Sequence, residues 1–393
     1  MIPYDKNSYA RMLEGKTVII GTTASISIYR IPDLIRDLRR EGASVIVGMS
    51  SNSSELVDQE VMKWASENEV VTKITGYTEH INLFLNEPEK KVLVIAPASY
   101  DTIGKIAGGI TDTIPTLFFS FAFGHGVKTV IAPAMHRSMM ENPINIENVN
   151  KLKNLGIDVV DPIYDDEKAK LSTNAIIMDH VCRSLYSGLH GKSVLIVSGH
   201  GDEPIDPVRS ISNGGTGYTG YWLSKIAYRM GASRVTYVGN SVSEIPEYVN
   251  YIETYRMDDF ERKTIEEIEK GYDIVIVSAS LSDFAIDDYS DRKISSDSAL
   301  ALKMKPRKKL TDQIRERFNG KLVVFRLTDD INEDASSHFK SKPDMIVINS
   351  YRKNPFGKTT NSYRIIYEGK HEDYSDLPKP LLALKIMEML VKN

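Results

Sequence analysis

The sequence has a single cysteine, Cys182, among 393 residues. That excludes an intrachain disulfide and any CxxC metal or redox motif. No apolar run approaches the roughly 20 residues of a membrane-spanning helix, and residues 1–16 lack the apolar stretch of a secretory leader. The expectation is a cytoplasmic protein with no membrane partner. Charge is nearly balanced, with a net of −4, so there is no basic footprint for nucleic acid. Low-complexity tracts and Pro- or Ser-rich linkers are also missing. What is present, 41% apolar and 26% charged residues, is the make-up of a globular chain long enough for two domains.

The most informative stretch is residues 199–220, GHGDEPIDPVRSISNGGTGYTG. An apolar run at 194–197 reads as a buried strand before it, and an amphipathic run at 221–230 reads as a helix after it. Strand, glycine-bearing loop and helix together present backbone N–H groups and a positive helix end to phosphate. This loop is long, with an acidic pair (Asp202, Glu203), a stiff Pro204–Pro207 segment, Arg209 and Asn213. It reads as a place where phosphate is bound and a carboxylate is activated. It is read as too long for the dinucleotide fingerprint and as lacking its GxGxxG spacing, which argues against an NAD-type oxidoreductase.

Before residue 186 the pattern alternates. Strands are read at 17–21, 43–49, 92–96 and 127–132, each closed by a polar loop: Thr22 to Ser25, Ser50 to Ser54, residues 97–102 and residues 133–136. Such repetition describes a parallel, doubly wound sheet whose ligands bind beyond the strand carboxyl ends. Thr and Ser hydroxyls at the first loop suit phosphate, and an ordinary capped turn suits them equally. His80, at a helix start, is a candidate acid or base, or a structural residue. The two glycines of residues 186–192 mark the domain boundary, giving domains 1–188 and 189–393. Later strands are read at 233–238, 273–278, 321–327 and 345–349, and a closing helix at 382–391.

Several motifs resemble a known family. GTTASISIYR (21–30), EHINLF around His80, APASYDTIGKIAGG (96–109) and APAMHRSMMENP (132–143) are similar to those of flavin-dependent cysteine decarboxylases. GDEPIDPVRSISN resembles the ligase half of the bifunctional phosphopantothenoylcysteine decarboxylase/phosphopantothenate–cysteine ligase family of coenzyme A synthesis. The resemblance implies an α/β fold of two doubly wound Rossmann-like domains, flavoprotein-like first and ligase-like second. It implies an FMN site at Thr23, Ser25, Ser50, Ser99 and Thr102, with His80 as the active-site histidine. His136 stands where the family carries a substrate-positioning asparagine. The family's flap cysteine has no counterpart in residues 163–180, and Cys182 reads as a small core residue.

In the second half the resemblance assigns Asn213 to the acyl-nucleotide intermediate and Arg209 to substrate phosphate or loop order. Lys293 is assigned to the triphosphate and Asp283 to the nucleotide or its metal, although Asp283 also suits a turn cap. Ser295 and Ser296 replace later lysines of the family motif. Lysines and Arg307 between residues 303 and 309 are read as a compensating charge run or a solvated face. Phe325 suits base stacking, and Lys340, Asn349 and the turn at 356–361 suit the nucleotide side. The implied partners are 4′-phosphopantothenate, cysteine, CTP or ATP, Mg2+ and further copies of the chain in a homo-oligomer. The alternative is a ligase alone, its first half a degenerate flavin-fold scaffold for oligomerisation.

Overall fold

A computed structural model describes residues 9–297, 299–332, 339–352 and 357–392. The chain divides into two compact units between Ser187 and Gly188. In the first, strands β1 (Thr17–Thr22), β2 (Ser44–Met49), β3 (Val70–Val71), β4 (Lys91–Ala98), β5 (Lys128–Pro133), β6 (Met135–His136) and β7 (Asp158–Val159) follow in order. Six of them form a parallel sheet ordered β3-β2-β1-β4-β5-β7. Val18, Ile19 and Ile20 lie between Val45, Ile46 and Val47 on one side and Val92, Leu93 and Val94 on the other. The apolar runs are continuous because both faces of a parallel sheet are covered. Helix Ile114–Gly124 packs on one face, with Phe118 fully buried. A Cβ on Gly48 would stand 2.3 Å from the Phe118 ring, so only glycine fits beneath it.

Beyond this sheet, β8 (Ile163–Tyr164) and β9 (Lys168–Lys170) join β6 in a small antiparallel ladder ordered β6-β9-β8.

The second unit contains β10 (Ser193–Ser198), β11 (Asp202–Pro204), β12 (Ser210–Ser212), β13 (Arg234–Gly239), β14 (Asn250–Glu253) and β15 (Ile274–Val277). They are followed by β16 (Phe284–Ile286), β17 (Met304–Pro306), β18 (Lys321–Thr328), β19 (Met345–Ser350), β20 (Thr360–Tyr367) and β21 (Lys370–Pro378). The main sheet has eight strands, β14-β13-β10-β15-β18-β19-β20-β21. It is parallel through β19 and antiparallel across the last two pairs. Leu195, Val197, Val238, Val275 and Leu322 share its core with Phe260.

Both main sheets follow the expected α/β plan. The β20–β21 hairpin does not appear in the sequence reading. Strand β21, KHEDYSDLP, is an exposed edge without apolar alternation, so periodicity cannot find it. Two helices begin three residues earlier than read, at Tyr218 and Lys379. In the second, Pro380 fits the first turn, whose N–H groups lack intrahelical partners anyway.

Strands β10 and β13 approach closely at their carboxyl ends. Gly239 has φ +138°, and a Cβ there would lie 1.8 Å from Ser198 O. Gly239→Ala is therefore expected to destabilise the second unit by roughly 2–4 kcal/mol. Chemical denaturation of the intact chain checks this, and an unchanged transition would refute the steric argument.

Candidate functional site

Each main sheet has one place where successive connections leave in opposite directions. In the first sheet it lies between β1 and β4, in the second between β10 and β15. The crevice left there is the usual ligand position of an open parallel sheet.

In the first crevice, Thr23 Oγ1 donates to Pro97 O at 2.6 Å and accepts from Ser99 N at 3.0 Å. Ser25 Oγ donates to Ala134 O at 3.1 Å. Three strand-end loops are thus laced together. Thr23 is only 2% exposed and its one hydroxyl hydrogen is committed. This corrects the reading of Thr23 as facing phosphate: it fixes the loops that do the facing. Ser50 Oγ accepts from Ser53 N at 3.2 Å and caps helix Ser51–Leu56. Ser99 is the N-cap of helix Tyr100–Gly108 without making a side-chain cap bond, which leaves the first-turn N–H groups open to an anion. Its hydroxyl instead bonds the Asp101 carboxylate at 2.5 Å and Thr102 Oγ1 at 2.9 Å.

His80 lies in the short helix Glu79–Phe84, its ring edge-on to Phe121 at 5.5 Å. Its Nδ1 is buried without a hydrogen-bond partner among the described residues. Phe84 meets Phe118, so the two helices run antiparallel. Pro115 packs over Gly21 near the crevice, and Phe121 is six residues further on, about 9 Å along the helix. His80 is thus not brought to the strand-end loops of its own chain.

His136 is exposed at the end of β6. Its Nδ1 accepts from Ser138 N at 3.3 Å, which leaves the proton of the neutral ring on Nε2. Residues 163–170, where the flap cysteine is missing, form the β8–β9 hairpin against this histidine: His136 pairs with Lys168. Arg137 braces the hairpin, its N–H donating to Glu167 O at 2.8 Å and its guanidinium 5.6 Å from the Tyr164 ring. Cys182 is fully buried in helix Asn174–Leu185. The aromatic run at 117–123 is mainly core: Phe118, Phe119 and Ala122 are buried, whereas Phe123 is exposed.

In the second unit the long loop folds into the β11–β12 hairpin. Asn213 follows it and donates from Nδ2 to Ser280 O at 3.3 Å. The same carbonyl accepts from Gly201 N at 3.1 Å. His200, absent from the sequence reading, donates through Nδ1 to Gly215 O at 2.7 Å. The loops after β10 and β15 are therefore knotted over the crevice, with Asn213 in the knot. Gly215, Gly217 and Gly220 do carry the GxGxxG spacing, which corrects the expectation that the loop departs from it. They stand 17 residues and more beyond the end of β10, and a Cβ on Gly217 would sit 2.1 Å from Asn240 O.

Asp206 was also overlooked, although an Asp-Pro-x-Arg turn is a readable local signal. It is 1% exposed. Its Oδ1 accepts from Val208 N and Arg209 N at 2.8 Å each, and its Oδ2 from Ile294 N at 3.1 Å. Burial alone would lift this carboxyl, but those three N–H groups and the Arg209 charge hold it below its ordinary value. Arg209 Nη1 reaches Ile294 O at 3.1 Å. Of the two roles read for Arg209, the geometry matches loop order. The clamp presents neighbouring Lys293 exposed and free of any ion pair with a described residue.

Asp283 is exposed, its backbone carbonyl accepting from Arg307 N at 2.9 Å. Among the described residues no cluster of three His, Cys, Asp or Glu side chains forms a metal site around it or elsewhere. Phe325 lies one residue past the level where β15 ends, because Val277 pairs with Val324. Asn349 pairs with Leu327 near the carboxyl end of β19. Lys340 is not brought to these residues. It sits in the turn entering β19, where Arg315 donates to Ser341 O at 3.2 Å and Asp344 N to Leu322 O at 2.9 Å, toward the strand amino ends. The Phe356 end of the turn read at 356–361 lies outside the described residues.

The basic run is mostly committed to carboxylates. Lys303 and Lys305 face Asp287 at 3.6 and 3.0 Å, and Lys308 pairs with Glu316 at 2.7 Å. Arg307 meets Glu203, Asp258 and Glu261 at 2.9, 2.9 and 3.1 Å, joining three elements. Burial pushes the Glu203 carboxyl up, against the pull of Arg307. These four residues do not stand in for the missing lysines.

Comparison with known proteins separates the same two halves. Residues 6–186 match the family described as Flavoprotein, and residues 189–393 match the DNA/pantothenate metabolism flavoprotein C-terminal domain. The coenzyme A biosynthesis bifunctional protein CoaBC of Thermococcus kodakarensis is 33% identical, with 100% of each chain covered. The protein of the same name from Methanocaldococcus jannaschii is 31% identical over 98% of this chain and 96% of its own. A crystal structure of the C-terminal domain of a CoaBC protein superposes with a TM-score of 0.44 at 22% identity, covering 52% of this chain and 97% of that one. Matched in both halves and along its full length, the chain belongs to the bifunctional CoaBC family of coenzyme A biosynthesis.

Proposed function

We propose that the chain carries out two successive steps of coenzyme A synthesis: ligation of 4′-phosphopantothenate to cysteine, and decarboxylation of the product to 4′-phosphopantetheine. The observation that carries this reading is the end-to-end match of both halves to bifunctional relatives. A ligase with an idle first half would not need the laced loops of the first crevice.

A carboxylate resists attack by an amine because its leaving group is poor. In the proposed ligation the substrate carboxylate takes a nucleotidyl group from CTP or ATP and releases pyrophosphate. The cysteine amine then attacks the acyl carbon, the acyl–phosphate bond breaks, and the nucleoside monophosphate leaves. Asn213 is held by one amide hydrogen on Ser280 O, so its second hydrogen is available to the acyl-nucleotide oxygen without adding charge. Lys293 offsets triphosphate charge, with Mg2+ carried in on the nucleotide and Asp283 beside it. Phe325 and Asn349 lie on the base side.

The first crevice fits FMN through its backbone: the open first-turn N–H groups of helix Tyr100–Gly108 face it, within loops tied by the Thr23 and Ser25 hydroxyls. FMN, when bound, accepts two electrons from the cysteinyl portion of the substrate and returns them after carbon dioxide has left. The Ser25, Ser99 and Thr102 oxygens would accept from the flavin side, their own hydrogens being engaged, Ser50 would border it, and Thr23 fixes the loops. His136 presents Nε2–H to the substrate carboxylate and is paired, through Lys168, with the hairpin that lacks the flap cysteine. Exposed Ile26, Tyr29, Tyr77 and Ile144 support a homo-oligomer, in which a second copy brings His80 to the crevice. No helix among the described residues is long and apolar enough to cross a membrane, and these substrates suit a cytoplasmic enzyme.

The purified protein, given 4′-phosphopantothenate, cysteine, Mg2+, FMN and CTP or ATP, is expected to yield 4′-phosphopantetheine by mass. No amide with either nucleotide would refute the ligase reading. Accumulation of 4′-phosphopantothenoylcysteine alone would refute the second activity. Asn213→Ala is expected to keep the fold and lose amide formation ~100-fold or more, and full activity would remove it from the mechanism. His136→Ala is expected to slow the final reduction ~100-fold, so that a decarboxylated product two hydrogens lighter accumulates. Asp206→Asn is expected to free the loop at 294, with amide hydrogen exchange there at least ~10-fold faster. Unchanged exchange would show the clamp to be dispensable.

A further inference from the structure

The loop after β10 holds an imidazole and a carboxylate side by side. His200 Nδ1 donates to Gly215 O at 2.7 Å, and a carbonyl can only accept, so the neutral ring keeps its free lone pair on Nε2. Nε2 lies 3.8 Å from Asp202 Oδ1. That is too far for a hydrogen bond but close enough for both atoms to meet one donor group of a ligand. Asp202 Oδ1 in turn accepts from Ser212 Oγ at 2.5 Å. Ser212 adjoins Asn213 in the chain, the residue assigned to the acyl-nucleotide oxygen. The His200 and Asp202 side chains stay 28% and 24% exposed, so a small solute can reach both.

The ring is held in place through its own backbone. His200 N donates to Asn240 Oδ1 at 3.2 Å, His200 O accepts from Asn240 Nδ2 at 2.8 Å, and Gly201 N donates to Ser280 O at 3.1 Å. A histidine fixed at its backbone and at Nδ1 is left with Nε2 as its free function. Tyr255 also faces the ring, 6.1 Å away. Its hydroxyl donates to Glu253 Oε1 at 2.9 Å, which together with burial holds it above its ordinary value and removes it as a base.

Amide formation calls for such a pair. At neutral pH the amine of cysteine is an ammonium ion without a lone pair, and it cannot attack an acyl carbon until a proton has gone. We propose that Asp202 and His200 receive this ammonium group and that His200 Nε2 takes its proton. The inference rests on the ligase reading and adds to it the site of the second substrate. The Asp202 carboxylate attracts the cation and holds it by a charge-assisted hydrogen bond. One N–H proton passes to Nε2, and the freed lone pair forms the C–N bond. The acyl–phosphate bond breaks with its electron pair on the departing nucleoside monophosphate, and the surplus proton of the nitrogen leaves on that phosphate oxygen. The imidazolium stands beside the Asp202 carboxylate until it returns its proton to water.

The test compares the full-length chain with its His200→Asn and Asp202→Asn variants, each given 4′-phosphopantothenate, Mg2+ and CTP or ATP at neutral pH. An asparagine amide can replace Nδ1 as the donor to Gly215 O, and it has nothing in the place of Nε2. Without cysteine, pyrophosphate release by both variants is expected within ~3-fold of the original chain. With cysteine, amide formation by His200→Asn is expected to fall ~100-fold, and the KM for cysteine of Asp202→Asn to rise at least ~10-fold. Hydroxylamine is already neutral at this pH and needs no base, so hydroxamate formation by His200→Asn is expected within ~3-fold of the original chain. The proposal is overturned if His200→Asn joins cysteine at the original rate, or if it loses cysteine and hydroxylamine alike. It is also overturned if pyrophosphate release falls with amide formation, as a merely structural histidine would require, or if Asp202→Asn leaves KM unchanged. An original chain that forms no amide defeats the ligase reading and the inference with it. Amide formation indifferent to His200 defeats the inference alone.

Discussion

Two parallel strands whose connections depart to opposite faces cannot close the space above them. That constraint is met twice in this chain, between β1 and β4 and between β10 and β15, and the proposed chemistry is arranged around both places. A loop over such a crevice must satisfy its own backbone while leaving a surface for a ligand. The two halves meet this demand differently. The first uses small hydroxyl side chains, Thr23 and Ser25, to tie one strand end to the next. The second inserts a hairpin and ties it down with Asp206, Asn213 and His200. In each case the side chains nearest the crevice hold backbone first, so the geometry presented to a substrate is largely set in advance.

Much of this was legible in the sequence, and what escaped had physical reasons. Buried parallel strands announce themselves as short apolar runs, so β1, β2, β4, β5 and β10 could be read with only small errors at their ends. Strand β21 could not, because an exposed edge has no apolar pattern to detect. Thr23 was found as a residue of the first crevice but read as facing phosphate, because spacing cannot reveal that its hydroxyl hydrogen is already donated to Pro97. Lys340 looked equivalent to Lys293 as a lysine in a polar loop. The sequence already places it ahead of the strand at 345–349, and a loop that enters a parallel strand lies at the end opposite the crevice, so strand order alone separates the two.

The charged residues also divide by geometry rather than by abundance. The run from Lys303 to Lys308 is rich in positive charge but faces Asp287, Glu203, Asp258, Glu261 and Glu316. Lys293 has no such partner among the described residues. A cation already matched by fixed carboxylates has little attraction left for a phosphate, whereas an unmatched one retains it.

The Arg307 guanidinium gives these loops a mechanical character. It emerges beside β17, which is paired with β16, and it grips Glu203 on β11 as well as two carboxylates of helix Met257–Ile268. The two hairpins that flank the crevice are thereby pinned to one helix and to each other. They cannot open like independent doors. Any displacement that admits a substrate between them must carry both hairpins together as a single plate.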